Sequence, residues 1–278
     1  MTRAIILSIA IFLFLPLSNA SGEDLQDHLN ATYKNKIYIL RHAIASESQH
    51  FDSAGQLLNS AAEGSWTLYG ALEIKSVTLS SNQLRLTANR LVYTYDQGKK
   101  DLVPKRIKWD KAKVTLDVAL SHPVTTIDEV DSILHWIFAF SESELIQTVP
   151  DYWRPFLEKQ TSATPSPAAG GLTEIKKDFP EAIDRINPPA VTAPKPVYTP
   201  APEFSDFARK FGMQGTVLLK VIIDKTGAVV RPEIERPVGF GLDEQAVARV
   251  RGWKFKPAMR DGKPVAVEMN IEVAFTLG

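Results

Sequence analysis

Polar and apolar residues alternate with period two through much of the first half of this chain. Val114, Leu116, Val118 and Leu120 share one side of an extended segment, with Thr115 and Asp117 on the other. The segments Lys36 to Arg41, Ser65 to Ala71, Glu73 to Leu79, Gln83 to Thr94 and Lys113 to Leu120 predict strands. Such alternation predicts an antiparallel sheet with one wet face. The period then lengthens. Val130, Ile133, Leu134, Ile137 and Phe138 form an apolar stripe that predicts a helix over Ile127 to Phe140. A second helix is predicted from Ser143, as its cap, to Thr148, and Leu25 to Asn30 predicts a helical turn at the start. Residues 21–160 thus read as a β-rich domain, a curled sheet closed by C-terminal helices.

A different pattern occupies residues 196–278. Phe204, Phe207, Ala208 and Phe211 recur at three- and four-residue spacing, a short amphipathic helix that Gly212 can stop in the left-handed conformation. Thr216 to Asp224 is a strand with Val217, Leu219, Val221 and Ile223 on one face. Asp224-Lys225-Thr226-Gly227 makes a tight turn, and Ala228 to Arg236 is a second strand interrupted by Pro232. Asp243 is placed to cap a helix whose Ala246, Val247 and Val250 face the sheet, and Gly252 ends it. In the last strand, Val265 to Phe275, one face carries Val265, Val267, Met269, Ile271, Val273 and Phe275. Ala266, Glu268, Asn270, Glu272 and Ala274 make the other. The fold class is α+β, ending in a small αββαβ module. Its three strands leave two edges, each a template for strand addition and for homodimer formation.

The motifs Gly212-Met213-Gln214-Gly215-Thr216-Val217, Leu242-Asp243-Glu244, Trp253-Lys254-Phe255-Lys256-Pro257-Ala258 and Asp261-Gly262-Lys263-Pro264-Val265 stand in this order along the module. Together they resemble the C-terminal domain of TonB, the periplasmic energy transducer of Gram-negative bacteria. The resemblance implies that Val265, Val267, Glu268, Met269, Asn270, Ile271, Glu272 and Val273 bind a short segment of an outer-membrane TonB-dependent receptor, or of another envelope protein, as an added strand. It also implies receptor contact by the preceding helix, here through Arg209 and Lys210. No cofactor is implied. The chain departs from that family in having Phe204-Ser205 where Tyr-Pro is usual, and in lacking a long spacer of Glu and Lys repeats.

Composition shifts near Thr161. Half of the chain's 18 prolines lie between Thr161 and Pro202, so residues 161–195 read as an extended, semi-rigid linker. Gly170-Gly171 is a joint in it, and Leu172 to Ile186 has the pattern of a short helix. At the other end, Arg3, the apolar run Ala4 to Leu15 and Ser18-Asn19-Ala20 read as a signal peptide, residues 1–20, cleaved after Ala20. That places the protein in the periplasm. If the segment stays uncleaved, it is an inner-membrane anchor able to meet ExbB–ExbD. It contains no histidine, which the family's anchor has.

With Lys+Arg 32 against Asp+Glu 32, the neutral balance argues against a nucleic-acid partner. The absence of cysteine excludes disulfides and a lipid-modified N-terminal cysteine. No catalytic motif is present, so an enzyme is not expected. His42 and His50 flank a turn, but unrelated surface histidines suit the spacing better than a shared metal. Asp128, Glu129 and Asp131 read as helix capping. Lys99 to Lys113 is basic and reads as a solvated hairpin rather than a lipid or cell-wall contact. Trp136, Phe138, Phe140, Tyr152, Trp153 and Phe156 read as core more readily than as the lining of an apolar pocket.

Overall fold

The computed structural model describes residues 22–161 and 190–277. The expected signal peptide, the Gly170-Gly171 joint and the helix over Leu172 to Ile186 lie outside the described residues. Two compact units emerge. One holds the described residues of 22–94 with 103–149; the other holds 95–102 with the described residues from 150 onward.

The first unit opens with α1 (Gly22–Tyr33), β1 (Ile37–Leu40), β2 (Ser48–Phe51), α2 (Trp66–Tyr69), β3 (Ala71–Leu79), β4 (Gln83–Asp96) and β5 (Asp101–Lys105). It continues with β6 (Lys113–Ala119), α3 (Ile127–Ile137), β7 (Phe138–Ala139) and α4 (Glu142–Thr148). One seven-stranded sheet runs β2-β6-β4-β3-β1-β7, with β5 also on β4. The alternation in β6 is real: Val114, Leu116 and Val118 are buried in a core shared with Leu84, Leu86, Ile74 and Leu134.

Several expectations need correction. Ser65 to Ala71 is not a strand. Trp66, Thr67 and Leu68 are buried in succession in a helical turn, and β3 starts only at Ala71. A Cβ at Gly70 would stand 2.7 Å from the Trp66 carbonyl oxygen, so glycine permits this tight exit. The sheet is also not wholly antiparallel, because β2 runs parallel to β6. Sequence patterning misses β2, since Ser48-Gln49-His50-Phe51 offers one large apolar residue, and its fully buried Gln49 donates to the carbonyls of Ile44 and Ser46. Asp117 does not face water either; it is buried and accepts from Arg85 Nε at 2.6 Å.

The acidic residues of α3 separate into two roles. Thr126 accepts from the Glu129 N–H, with Asp128 and Glu129 in the first turn, where the helix dipole favours them. Asp131 is buried instead and accepts the Tyr33 hydroxyl at 2.7 Å. Burial first, and that carboxylate next, push the Tyr33 hydroxyl far above its ordinary pKa. The cap of α4 is Ser141 rather than Ser143, accepting from the Glu144 N–H at 3.2 Å.

The second unit contains a 3-10 turn at Asp151–Trp153, α5 (Arg154–Thr161), β8 (Lys195–Tyr198), α6 (Asp206–Lys210), β9 (Gly215–Ile223) and β10 (Val229–Arg236). Then come α7 (Leu242–Val250), β11 (Lys254–Lys256), β12 (Ala258–Arg260), β13 (Lys263–Val265) and β14 (Val267–Phe275). The expected αββαβ core is present as α6-β9-β10-α7-β14, with sheet order β10-β9-β14. Two small ribbons, β11-β8 and β12-β13, are added to it. Val217, Leu219, Val221 and Ile223 are buried as the alternation required.

Candidate functional site

The final strand is built on an uninterrupted ladder. β14 pairs antiparallel with β9 over nine consecutive residues, from Val267 opposite Ile223 to Phe275 opposite Gly215, without a register shift. Val267, Ile271, Val273 and Phe275 are buried, Met269 and Glu268 are half-buried, and Asn270, Glu272 and Ala274 are exposed. Val265 stands apart from the strand: it ends β13 and pairs with Ala258. Ala266, expected on the wet face, is buried against Ile222 and Val230.

The two edges of this sheet differ. The β10 edge is met by α5 and the turn at 151–153, and Lys159 Nζ lies 2.7 Å from Glu235 Oε2. Just beyond β10, the Tyr95 N–H donates to the Val238 carbonyl at 3.0 Å. β10 is itself irregular, with register shifts beside Arg231-Pro232, where Arg231 has φ +48°. Among the described residues no strand lies on the far side of β14. In an antiparallel strand, alternate residues send both N–H and C=O to the same side, so about half of the β14 backbone groups point away from β9. A regular, open edge of this kind can accept an extended peptide.

Loops hold that edge in place. Asp224 Oδ1 accepts from the N–H groups of Thr226 and Ala228 and from the Thr226 hydroxyl. Burial works to raise this carboxyl, but those hydrogen bonds prevail and hold it below its ordinary range. Gly227 has φ +83°, and a Cβ there would come within 1.7 Å of the Phe255 carbonyl oxygen, so the turn packs directly on β11. Asp243 is not the cap expected of it. It lies one residue into α7, fully buried, and accepts the N–H groups of Val238 and Gly239, both at 2.7 Å. Burial, followed by the neighbouring Glu244, pushes its carboxyl well above the ordinary range.

That loop reaches the helix before the sheet. Ser205 donates to the Phe240 carbonyl at 2.7 Å, and its oxygen accepts the Ala208 N–H to cap α6. Phe207 stacks on Phe240, and Phe204 meets Phe275 of β14 edge-on. Arg209 and Lys210 are exposed in the last turn of α6. Gly212 has the expected left-handed φ of +63°. The Leu277 N–H donates to Gln214 Oε1 at 2.8 Å and secures the exit of β14, a contact no sequence signal announced.

Charged side chains meet on the opposite, partly buried face of the sheet. Lys220 on β9 lies 2.7 Å from Glu233 and 3.9 Å from Glu268, and Arg236 lies 3.7 Å from Glu272. Burial works to lower the Lys220 ammonium, but Glu233 and Glu268 raise it above its ordinary value.

In the first unit a groove of about 880 Å³ is lined by residues including Ile44, Phe51, Leu57 and Trp136, with Arg41 and the His42–Glu63 pair beside them. Trp136 is 63% exposed, whereas Phe138, Trp153 and Phe156 are buried. His42 bonds Glu63 at 2.9 Å, while His50 faces Ser48 and Asp117, so the two histidines have separate partners. Among the described residues no helix is long and apolar enough to cross a membrane, and no cluster of three or more metal-ligating side chains occurs.

Residues 200–277 match the family described as Gram-negative bacterial TonB protein C-terminal, and this part of the chain is a TonB-family C-terminal domain. Protein TonB of Vibrio cholerae serotype O1 is 34% identical over 77 residues, 27% of this chain and 32% of that protein. Protein tonB2 of Pseudomonas aeruginosa is 33% identical over 82 residues, 29% of this chain and 30% of that protein. The chain therefore spans about a third of the length of these relatives.

Proposed function

We propose that this chain is a periplasmic, non-enzymatic interaction protein of TonB-dependent transport, whose β14 captures a segment of an outer-membrane receptor as an added strand. The observation that carries this reading is the contrast between the edges: β10 is covered and bulged, while β14 is regular and, among the described residues, has no strand on its far side. Each backbone hydrogen bond adds roughly 0.5–1.5 kcal/mol net, against an association cost of several kcal/mol. Capture thus also draws on side chains along the edge, from Val267 to Val273, and on Arg209 and Lys210. A periplasmic site follows from the cleavable leader; with that leader retained, the chain would be anchored in the inner membrane beside ExbB–ExbD.

Because the chain has no cysteine, a Glu272→Cys variant carries a unique thiol beside the edge. In cells, disulfide trapping with cysteines placed in the N-terminal segments of outer-membrane receptors is expected to yield a cross-linked pair. Trapping of a second copy alone would contradict the reading.

A second reading rests on the groove beside Trp136. There the first unit binds an apolar or cell-wall ligand and the C-terminal domain serves as a docking adaptor without energy transduction. Quenching of Trp136 fluorescence by peptidoglycan fragments or fatty acids, lost in Trp136→Ala, is the expected sign.

A further inference from the structure

Resting on a ligand-binding role for the groove beside Trp136, we infer that it takes an N-acetylated, β-linked glycan strand of the cell wall, with a sugar ring stacked on the Trp136 indole. A single exposed apolar side chain needs no explanation, but this one stands on a built platform. Trp136 is 63% exposed near the end of α3, whose Val130, Ile133, Leu134 and Ile137 are buried. The loop 52–56 presses against its base: Gly55 has φ +73°, and a Cβ there would come within 2.2 Å of the Trp136 Cβ. Asp52 Oδ1 fixes that loop by accepting the N–H groups of Ala54 and Gln56, at 2.9 and 2.8 Å. The stem of the tryptophan is thereby clamped while the side chain stays largely open to solvent.

Trp136 belongs to two depressions, the groove of about 880 Å³ and a smaller one of about 240 Å³ that also holds Ser53, Ser121 and Ser132. A linear ligand can run through both by crossing the indole. The charges along that path select its chemistry. Arg41 already donates to Glu144 at 2.6 Å and to the His135 carbonyl at 2.7 Å. Glu63 and Glu129, one in each depression, lie 2.9 and 3.4 Å from His42 and His122. A fatty acid or a phosphate would meet two carboxylates and a cation already engaged, so an anion is rejected. What remains is hydrogen-bonding capacity beside apolar walls. A pyranose matches it, because its C–H face can lie on an aromatic ring while its hydroxyls point outward to polar groups. Acetamido groups add a methyl for Leu57 and Ala61 and an amide for Gln56.

The test uses the full chain with tetra-N-acetylchitotetraose, cellotetraose, laurate and purified peptidoglycan sacculi. Calorimetry is expected to show the acetylated sugar bound more tightly than cellotetraose, by at least roughly fourfold, and with little dependence on salt. Trp136→Ala should weaken that binding by at least roughly tenfold, and Trp136→Phe should restore part of it. Sacculi should sediment the wild-type chain and less of Trp136→Ala. An affinity unchanged in Trp136→Ala would overturn the stacking site, and equal binding of the two sugars would overturn the N-acetylated class. Sugar binding without retention on sacculi would remove the cell wall as its source. Laurate bound and no sugar bound would sink the glycan and leave a ligand-binding groove standing, whereas binding of neither would sink both.

Discussion

Asp243 Oδ2 accepts the backbone N–H of Gly239 at 2.7 Å, from a side chain with no exposure to solvent. Its other oxygen takes the Val238 N–H, so one carboxyl group closes a loop in which Gly239, Phe240 and Gly241 all have positive φ. Asp243→Ala leaves two backbone donors without that acceptor and should cost roughly 2–4 kcal/mol. Urea denaturation of the full chain, followed through the second unit, measures it.

Gly227 is held by contact as well as by conformation. Gly227→Ala meets the Phe255 carbonyl and forces a side chain into the left-handed region. A loss of at least roughly 1–3 kcal/mol is expected from the backbone alone. A Tm unchanged from wild type would contradict the docking of this turn on β11.

Glu73, buried in the central sheet, is bonded by Arg106 and Lys75. The Arg106 hydrogen bonds hold its carboxyl below the ordinary glutamate value; burial opposes them and Lys75 assists. A carboxyl lowered on folding contributes stability that is present above its unfolded pKa and lost as pH falls through the folded one. Thermal scans from pH 6 down to pH 3 should therefore show a falling Tm. Glu73→Gln should flatten part of that slope and lower the Tm at pH 6.

Met269 and Asn270 are neighbours on β14, so their N–H groups point to opposite sides. One bonds β9 and the other faces the open edge. Replacing each in turn by proline should therefore give unlike variants. The inward one loses a ladder bond and is strongly destabilised. The outward one stays folded but no longer captures a peptide. Two folded, binding-competent variants would rule out this edge.

Much of the second unit was legible in its residues because its signals are local. Alternation in β9 and β14, Gly212 and Gly227 at positive φ, and the apolar side of α7 each depend on neighbours in sequence. The role of Asp243 was not legible, since a helix cap and a loop-closing acceptor differ only in where Val238 and Gly239 fold back. Nor could the sequence reveal that α5 meets β10, a contact between residues some 75 positions apart. In the first unit β2 escaped notice because parallel pairing and the buried Gln49 leave no apolar alternation. Trp66 to Tyr69 misled for the opposite reason: aromatic and β-branched residues favour strands, yet three successive buried positions suit a helical turn.

Residue-resolved hydrogen exchange across Val267 to Phe275 in the full chain tests the central claim most directly. Alternate amides are expected to exchange rapidly in the free protein and to become protected when a peptide copied from the N-terminal segment of an outer-membrane receptor is added. Uniform protection before any peptide is present would mean that the edge is already satisfied, and strand addition at β14 would be refuted.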